Sequence, residues 1–128
     1  MTKTQKSIDG SRPSWFQKFA NAFRGLAVGM RGQNSYPVHL AISAAVVVAA
    51  FIFHVTAGQW CLLILCITLV LAAELFNTAL ERLAGAVTKE DNPLVRDALD
   101  ISAAAVLATS IGALFVGIVV FAPKFVGQ

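Results

Sequence analysis

Charge is what this sequence has least of. Only 13% of its 128 residues are Asp, Glu, Lys or Arg, while 57% are hydrophobic; a soluble domain carries about a quarter charged. No charged residue occurs from Gly32 to Ala73, and none from Ile101 to Pro123. A water-soluble globule of this size needs more polar surface than that to cover itself. Cysteine is also scarce. Cys61 and Cys66 are five apart on a predicted helix, point to different sides and cannot pair with each other. No CxxC or Cys/His ligand spacing is present, which leaves both as small packing or lipid-facing residues. There is no GxxxxGK[ST] phosphate loop and no protein-kinase glycine loop. His39 and His54 stand at opposite ends of one apolar run, cannot share a metal, and read as interfacial side chains. Gly25 and Gly29 make a GxxxG spacing that, on a surface helix, identifies no partner.

What the chain does have is an ordered series of apolar segments. The pattern describes an all-α membrane protein with an N-terminal amphipathic surface helix and three transmembrane helices. Residues 1–14 form a polar tail, expected to be disordered and cytoplasmic. From Trp15, the residues Phe19, Phe23, Leu26 and Met30 recur on one helical face, with Lys18, Asn21 and Arg24 largely off it. Aromatics on one side and cations on the other predict a helix over 15–31 lying in the membrane interface. The first span is predicted over 38–55, about 18 residues, enough to cross a core of ~30 Å. Thr56–Gln59 is a tight polar connection, and Trp60 opens the second span. The apolar run that follows is too short to cross alone, so the helix must continue through Glu74 to about Ala84, with Gly85 as its stop. Asn92 and Pro93 announce a third helix, predicted over 93–121. Together, 15–122 forms the membrane domain, and 123–128 a short extracytoplasmic tail.

Orientation follows from the basic residues. Six of the ten (Lys3, Lys6, Arg12, Lys18, Arg24, Arg31) precede the first span, and Lys89 lies between the second and third. The positive-inside rule puts the N-terminus and the 85–92 loop in the cytoplasm. The same placement accounts for the net charge of +3 without a nucleic-acid partner, since no groove-reading element is formed.

Glu74, Asn77 and Glu81 fall within about 60° of one another at 100° per residue, so they form one stripe on the second span. A carboxylate at the bilayer centre costs ~2.5 kcal/mol or more, so such groups face a bundle interior and mark function. Asp100 should reach a similar depth from the third span. Acids and an amide on two helices at the cytoplasmic end suit a hard divalent cation that takes oxygen ligands. Arg82, Lys89, Glu90 and Asp97 read instead as interfacial charges, with Arg96 beside Asp97.

The stretch Ala73-Glu74-Leu75-Phe76-Asn77-Thr78-Ala79-Leu80-Glu81 resembles the E-x-x-N-[ST]-A-[IL]-E signature of the bacterial diacylglycerol kinase family, which includes undecaprenol kinases. Asp100-Ile101-Ser102-Ala103-Ala104-Ala105-Val106-Leu107 is similar to the D-x-x-x-A-A-V-L run that opens the family's last span, and Arg24-Gly25-Leu26 to its entry segment. The resemblance covers about residues 15–121. It implies transfer of the γ-phosphate of MgATP to a lipid hydroxyl at the cytoplasmic face of the inner membrane. The product would be phosphatidic acid from diacylglycerol, or undecaprenyl phosphate from undecaprenol. It also implies a homotrimer with sites between subunits. Residue by residue, Glu74 matches the general base that meets the lipid substrate, and Asn77 the residue that positions the site. Glu81 matches a Mg²⁺ and nucleotide ligand, and Asp100 a nucleotide-site acid. Arg24 is expected near the lipid.

Three positions depart from that pattern. Gln33 stands where the family carries a Glu that binds metal and ATP. Leu99 replaces a Lys before Asp100, and Arg96 or Lys89 is left to meet the phosphates. Tyr36-Pro37-Val38-His39 sits where an Arg is common. These departures also allow a second reading, a non-catalytic membrane protein of the same fold that binds lipid or a protein partner.

Overall fold

The computed structural model describes residues 14–31 and 35–127, and helices joined by short turns are the regular structure within them. Gln33 and residues 1–13 lie outside the described residues. Helix α1 covers Trp15–Met30, α2 Ser35–Ile52, α3 Ala57–Val87 and α4 Pro93–Val126. The last three are long and apolar enough to cross a membrane.

The helix starts are written in side chains. Ser14 and Gln17 form a reciprocal capping box at α1, and Thr56 and Gln59 repeat it at α3. Each pair satisfies two backbone donors that the first turn leaves open. Asn92 caps α4 by accepting from the Leu94 and Val95 amides, and Pro93 follows in the first turn. Two helices outrun the expected ends. Gly85 does not stop α3, since a helical glycine costs only about 1 kcal/mol, and the helix closes at Thr88, whose amide bonds to Ala84 O. Likewise α4 passes Phe121 and Pro123 to reach Val126. Near a helix end, proline forfeits one backbone bond without breaking the axis.

The α2–α3 turn has a specific device. His54 holds a left-handed backbone, φ 48°. The His54 amide donates to Phe51 O and the Val55 amide to Ala50 O, the paired bonds of a Schellman cap. Ala50 and Val55 are both buried and pack with Leu63 and Val120 in the small core at this end of the bundle.

Helix α3 is the element on which the other three pack. Most large apolar side chains point outward, among them Val48, Leu62, Leu65, Ile111 and Phe115. In water that surface would drive aggregation; in hydrocarbon it costs nothing, because lipid is as apolar as leucine. At ~1.5 Å per residue the 31 residues of α3 rise about 46 Å, beyond a ~30 Å hydrocarbon core. Its C-terminal turns, carrying Asn77 to Arg82, therefore extend toward the headgroups beside the start of α2, the end of α1 and the start of α4.

Candidate active site

Glu74 is the most deeply buried acid in the described residues, 3% exposed. Burying a carboxylate without partners costs several kcal/mol, so the helix that covers it must supply them. It does so twice from α2. His39 Nε2 lies 2.9 Å from Glu74 Oε1, and Ser35 Oγ donates to Glu74 Oε2 at 3.2 Å. Ser35 and His39 are four apart and share one helical face. The expectation that His39 is an interfacial side chain is therefore corrected: it turns inward onto the acid. The signal was available in the sequence, because His39 and Glu74 stand at nearly equal chain distances on either side of the Thr56 turn.

A second chain of bonds runs across α3 and α4. Ser102 Oγ shares its proton between Asn77 Oδ1, at 2.6 Å, and Leu99 O, at 2.8 Å. Asn77 Nδ2 in turn donates to Glu81 Oε1 at 2.9 Å. The amide is oriented by Ser102, so its donor end faces Glu81. The sequence marked Asn77 and Glu81, but Ser102 entered only as a member of the run that opens α4. Asp100, expected at this depth, is exposed, as is Arg24 on α1.

Arg82 is not an idle interfacial charge either. Its Nη2 donates to Val28 O at 3.0 Å and Arg31 O at 2.7 Å, closing the C-terminus of α1. Arg96 pairs with Asp91 across the α3–α4 loop rather than with Asp97.

Below Glu81 lies a cleft of about 400 Å³ whose lining includes Lys89, Asn92, Arg96 and Leu99. Its wall carries three carboxylates, Glu81, Glu90 and Asp91, and two cations, Lys89 and Arg96, at the amino end of α4, where the helix dipole favours anions. Among the described residues no three His, Cys, Asp or Glu side chains cluster as a metal cage. A Mg²⁺ that arrives with nucleotide phosphates needs only one or two protein carboxylates, and Glu81 at the cleft meets that requirement. Glu74 and Glu81 are two turns apart, about 10 Å along the axis. One acid faces into the bundle at bilayer depth, and the other opens on a polar cleft.

Residues 20–121 match the family described as prokaryotic diacylglycerol kinase. The chain belongs to that family. It is 29% identical over 110 residues to the undecaprenol kinase of Bacillus subtilis (strain 168), covering 86% of this chain and 89% of that protein. To the diacylglycerol kinase of Synechocystis sp. it is 33% identical over 106 residues, covering 82% of this chain and 61% of the other. Family membership makes the chain a lipid kinase, and the stripe on α3 lies inside the matched region. The prokaryotic diacylglycerol kinase family thus gives a chemical setting for an otherwise costly pair of membrane acids.

Proposed function

We propose that this protein transfers the γ-phosphate of ATP to the primary hydroxyl of a membrane lipid, either a polyprenol or a diacylglycerol. The observation that carries the reading is the buried, doubly hydrogen-bonded Glu74 two turns from Glu81 on one helix. Glu74 accepts the hydroxyl proton as the lipid oxygen attacks the γ-phosphorus, and ADP leaves on the cytoplasmic side. A carboxylate presents about four lone-pair sites; two are engaged by His39 and Ser35, which leaves acceptor capacity for the substrate. The nucleotide lies in the polar cleft, its phosphates facing Lys89 and Arg96 and the start of α4. Mg²⁺, held by Glu81 with Gln33 as a second oxygen donor, would neutralise charge on the phosphates. Asn77 keeps Glu81 in place, and Asp100 and Arg24 contribute from the nucleotide and lipid sides. The bilayer delivers the acceptor to Glu74, and the aqueous cleft receives the donor.

The kinase works in the inner membrane with its N-terminus in the cytoplasm, which the clustering of basic residues before α2 supports. Helix α1 lies along that surface, presenting Trp15, Phe16, Phe19 and Phe23, each exposed. The assembly is a homotrimer: the outward apolar faces of α2 and α4 and the small residues on them favour close helix contact.

Transfer of labelled phosphate from MgATP in mixed micelles, with diacylglycerol and undecaprenol offered separately and Glu74→Gln as control, tests the reading. Labelling of one lipid that vanishes in the control supports it and names the acceptor. Folded protein that labels neither would favour the non-catalytic reading.

A further inference from the structure

Glu74 does not hold itself in place. Its side chain has three rotatable bonds, and α3 supplies it with no hydrogen bond of its own. Both carboxylate oxygens are instead tied to α2, Oε1 to His39 Nε2 at 2.9 Å and Oε2 to Ser35 Oγ at 3.2 Å. Two donors on one helical face, one turn apart, fix the plane of the carboxylate as well as its position. The burial is lopsided: the side chain of Glu74 is 4% exposed and that of His39 22%. The acid is enclosed and the imidazole forms its outer wall. Ser43, one turn further on, donates to the His39 carbonyl at 2.7 Å, which takes up its own hydroxyl without competing for the ring.

We infer that His39 is a positioning residue for the phosphate transfer, orienting the Glu74 carboxylate through the Nε2–Oε1 bond while Ser35 restrains the other oxygen. The inference rests on Glu74 being the proton acceptor. It adds that the acceptor's geometry is set by α2, so the α2–α3 hairpin, and not α3 alone, is the catalytic unit. Neither residue touches the nucleotide cleft, so losing the His39 bond disturbs the proton-transfer geometry and leaves ATP binding as it was. Misplacing a reacting group by about 1 Å can cost 10²-fold in rate.

The test compares wild type with His39→Leu, His39→Gln and Ser35→Ala in mixed micelles, measuring kcat, KM for MgATP, helical content and thermal midpoint. The Gln amide nitrogen can occupy the place of Nε2 and restore the donor. The expected result is a kcat about 10- to 100-fold lower in His39→Leu with KM for MgATP within about twofold. In His39→Gln most of that loss is recovered, and Ser35→Ala gives a smaller loss of the same type. His39→Leu at wild-type kcat would overturn the inference, as would folded His39→Gln that is as slow as His39→Leu, or a KM for MgATP that rises in step with the fall in kcat. Should His39→Leu fail to fold, His39→Gln decides alone: active within about tenfold of wild type supports the inference, and folded but inactive overturns it. Active wild type with indifferent His39 variants defeats only this inference; inactive wild type defeats the kinase reading and this inference with it.

Discussion

Gly29 and Leu75 are in contact so close that a Cβ on the glycine would stand 2.6 Å from Leu75 Cδ2. Gly29 is buried on α1, and Leu75 follows Glu74 on α3, so this contact docks the N-terminal helix beside the candidate base. The obstructing atom is the end of a flexible side chain. Gly29→Ala should therefore be tolerated: the Leu75 rotamer moves, and the gain in helix propensity of about 1 kcal/mol offsets the strain. Gly29→Val adds branched bulk that no single rotamer change accommodates, and should cost about 1–3 kcal/mol. Thermal midpoints of both variants in detergent check the ordering, and equal midpoints would contradict it.

Arg82 makes the other half of that joint. Both of its bonds come from one nitrogen, Nη2, and reach carbonyls at the C-terminal end of α1, where Val28 O also accepts from the Arg31 amide. Arg82→Met keeps the apolar stem and removes the donors. Arg82 is exposed and water can replace part of the interaction, so the expected cost is only about 1 kcal/mol. The sharper readout is hydrogen exchange: amides of α1 should exchange faster while those of α4 are unchanged. Uniform exchange across all four helices would remove Arg82 from this role.

His54 pays a backbone penalty at the α2–α3 turn. For a residue with a Cβ, the left-handed region costs roughly 1–2 kcal/mol, and glycine avoids this while losing part of the gain to chain entropy. His54→Gly should raise stability by about 0.5–1 kcal/mol, and His54→Val should lower it. Neither should alter phosphate transfer, because the turn lies at the end of the bundle away from Glu74. Denaturation of the two variants in parallel with activity measures both claims.

These three sites also show where the sequence could be read and where it could not. The spans were legible because a bilayer imposes a simple rule of length and apolarity, and the starts of α1, α3 and α4 because caps are local in sequence. Glu74, Asn77 and Glu81 stood out because an acid in an apolar run is expensive. His39, Ser102 and Arg82 did not, since each acts on a residue of another helix, and nothing in its own neighbours distinguishes it from a packing or interfacial side chain. Gly85 misled for the opposite reason. A glycine two residues before the end of a long helix costs only about 1 kcal/mol, and α3 runs past it to Val87.

Thr78, one turn beyond Glu74, is 2% exposed, and its hydroxyl has no hydrogen-bond partner among the described residues. A buried unpaired polar group costs about 1–3 kcal/mol. Thr78→Val keeps the shape and removes that cost, so the midpoint should rise or hold. Phosphate transfer should nonetheless fall if the hydroxyl is kept for substrate. A variant that is both less stable and fully active would refute both parts of this expectation.

Arg96 supplies the test of the nucleotide side. Leu99 cannot bind a phosphate, and the cleft beneath Glu81 holds Arg96 and Lys89 as its cations. The ion pair of Arg96 with Asp91 is exposed on both sides, and such pairs contribute little, so Arg96 can turn to a phosphate at small cost. Arg96→Ala should raise KM for MgATP several-fold, with kcat and the KM for lipid nearly unchanged, because the loss is of binding common to ground and transition states. Asp91→Asn, which frees the guanidinium, should lower KM for MgATP or leave it as it is. Both constants are read from initial rates at saturating lipid. An Arg96→Ala enzyme with wild-type KM would pass the phosphate-binding role to Lys89, where Lys89→Ala should then show the same rise.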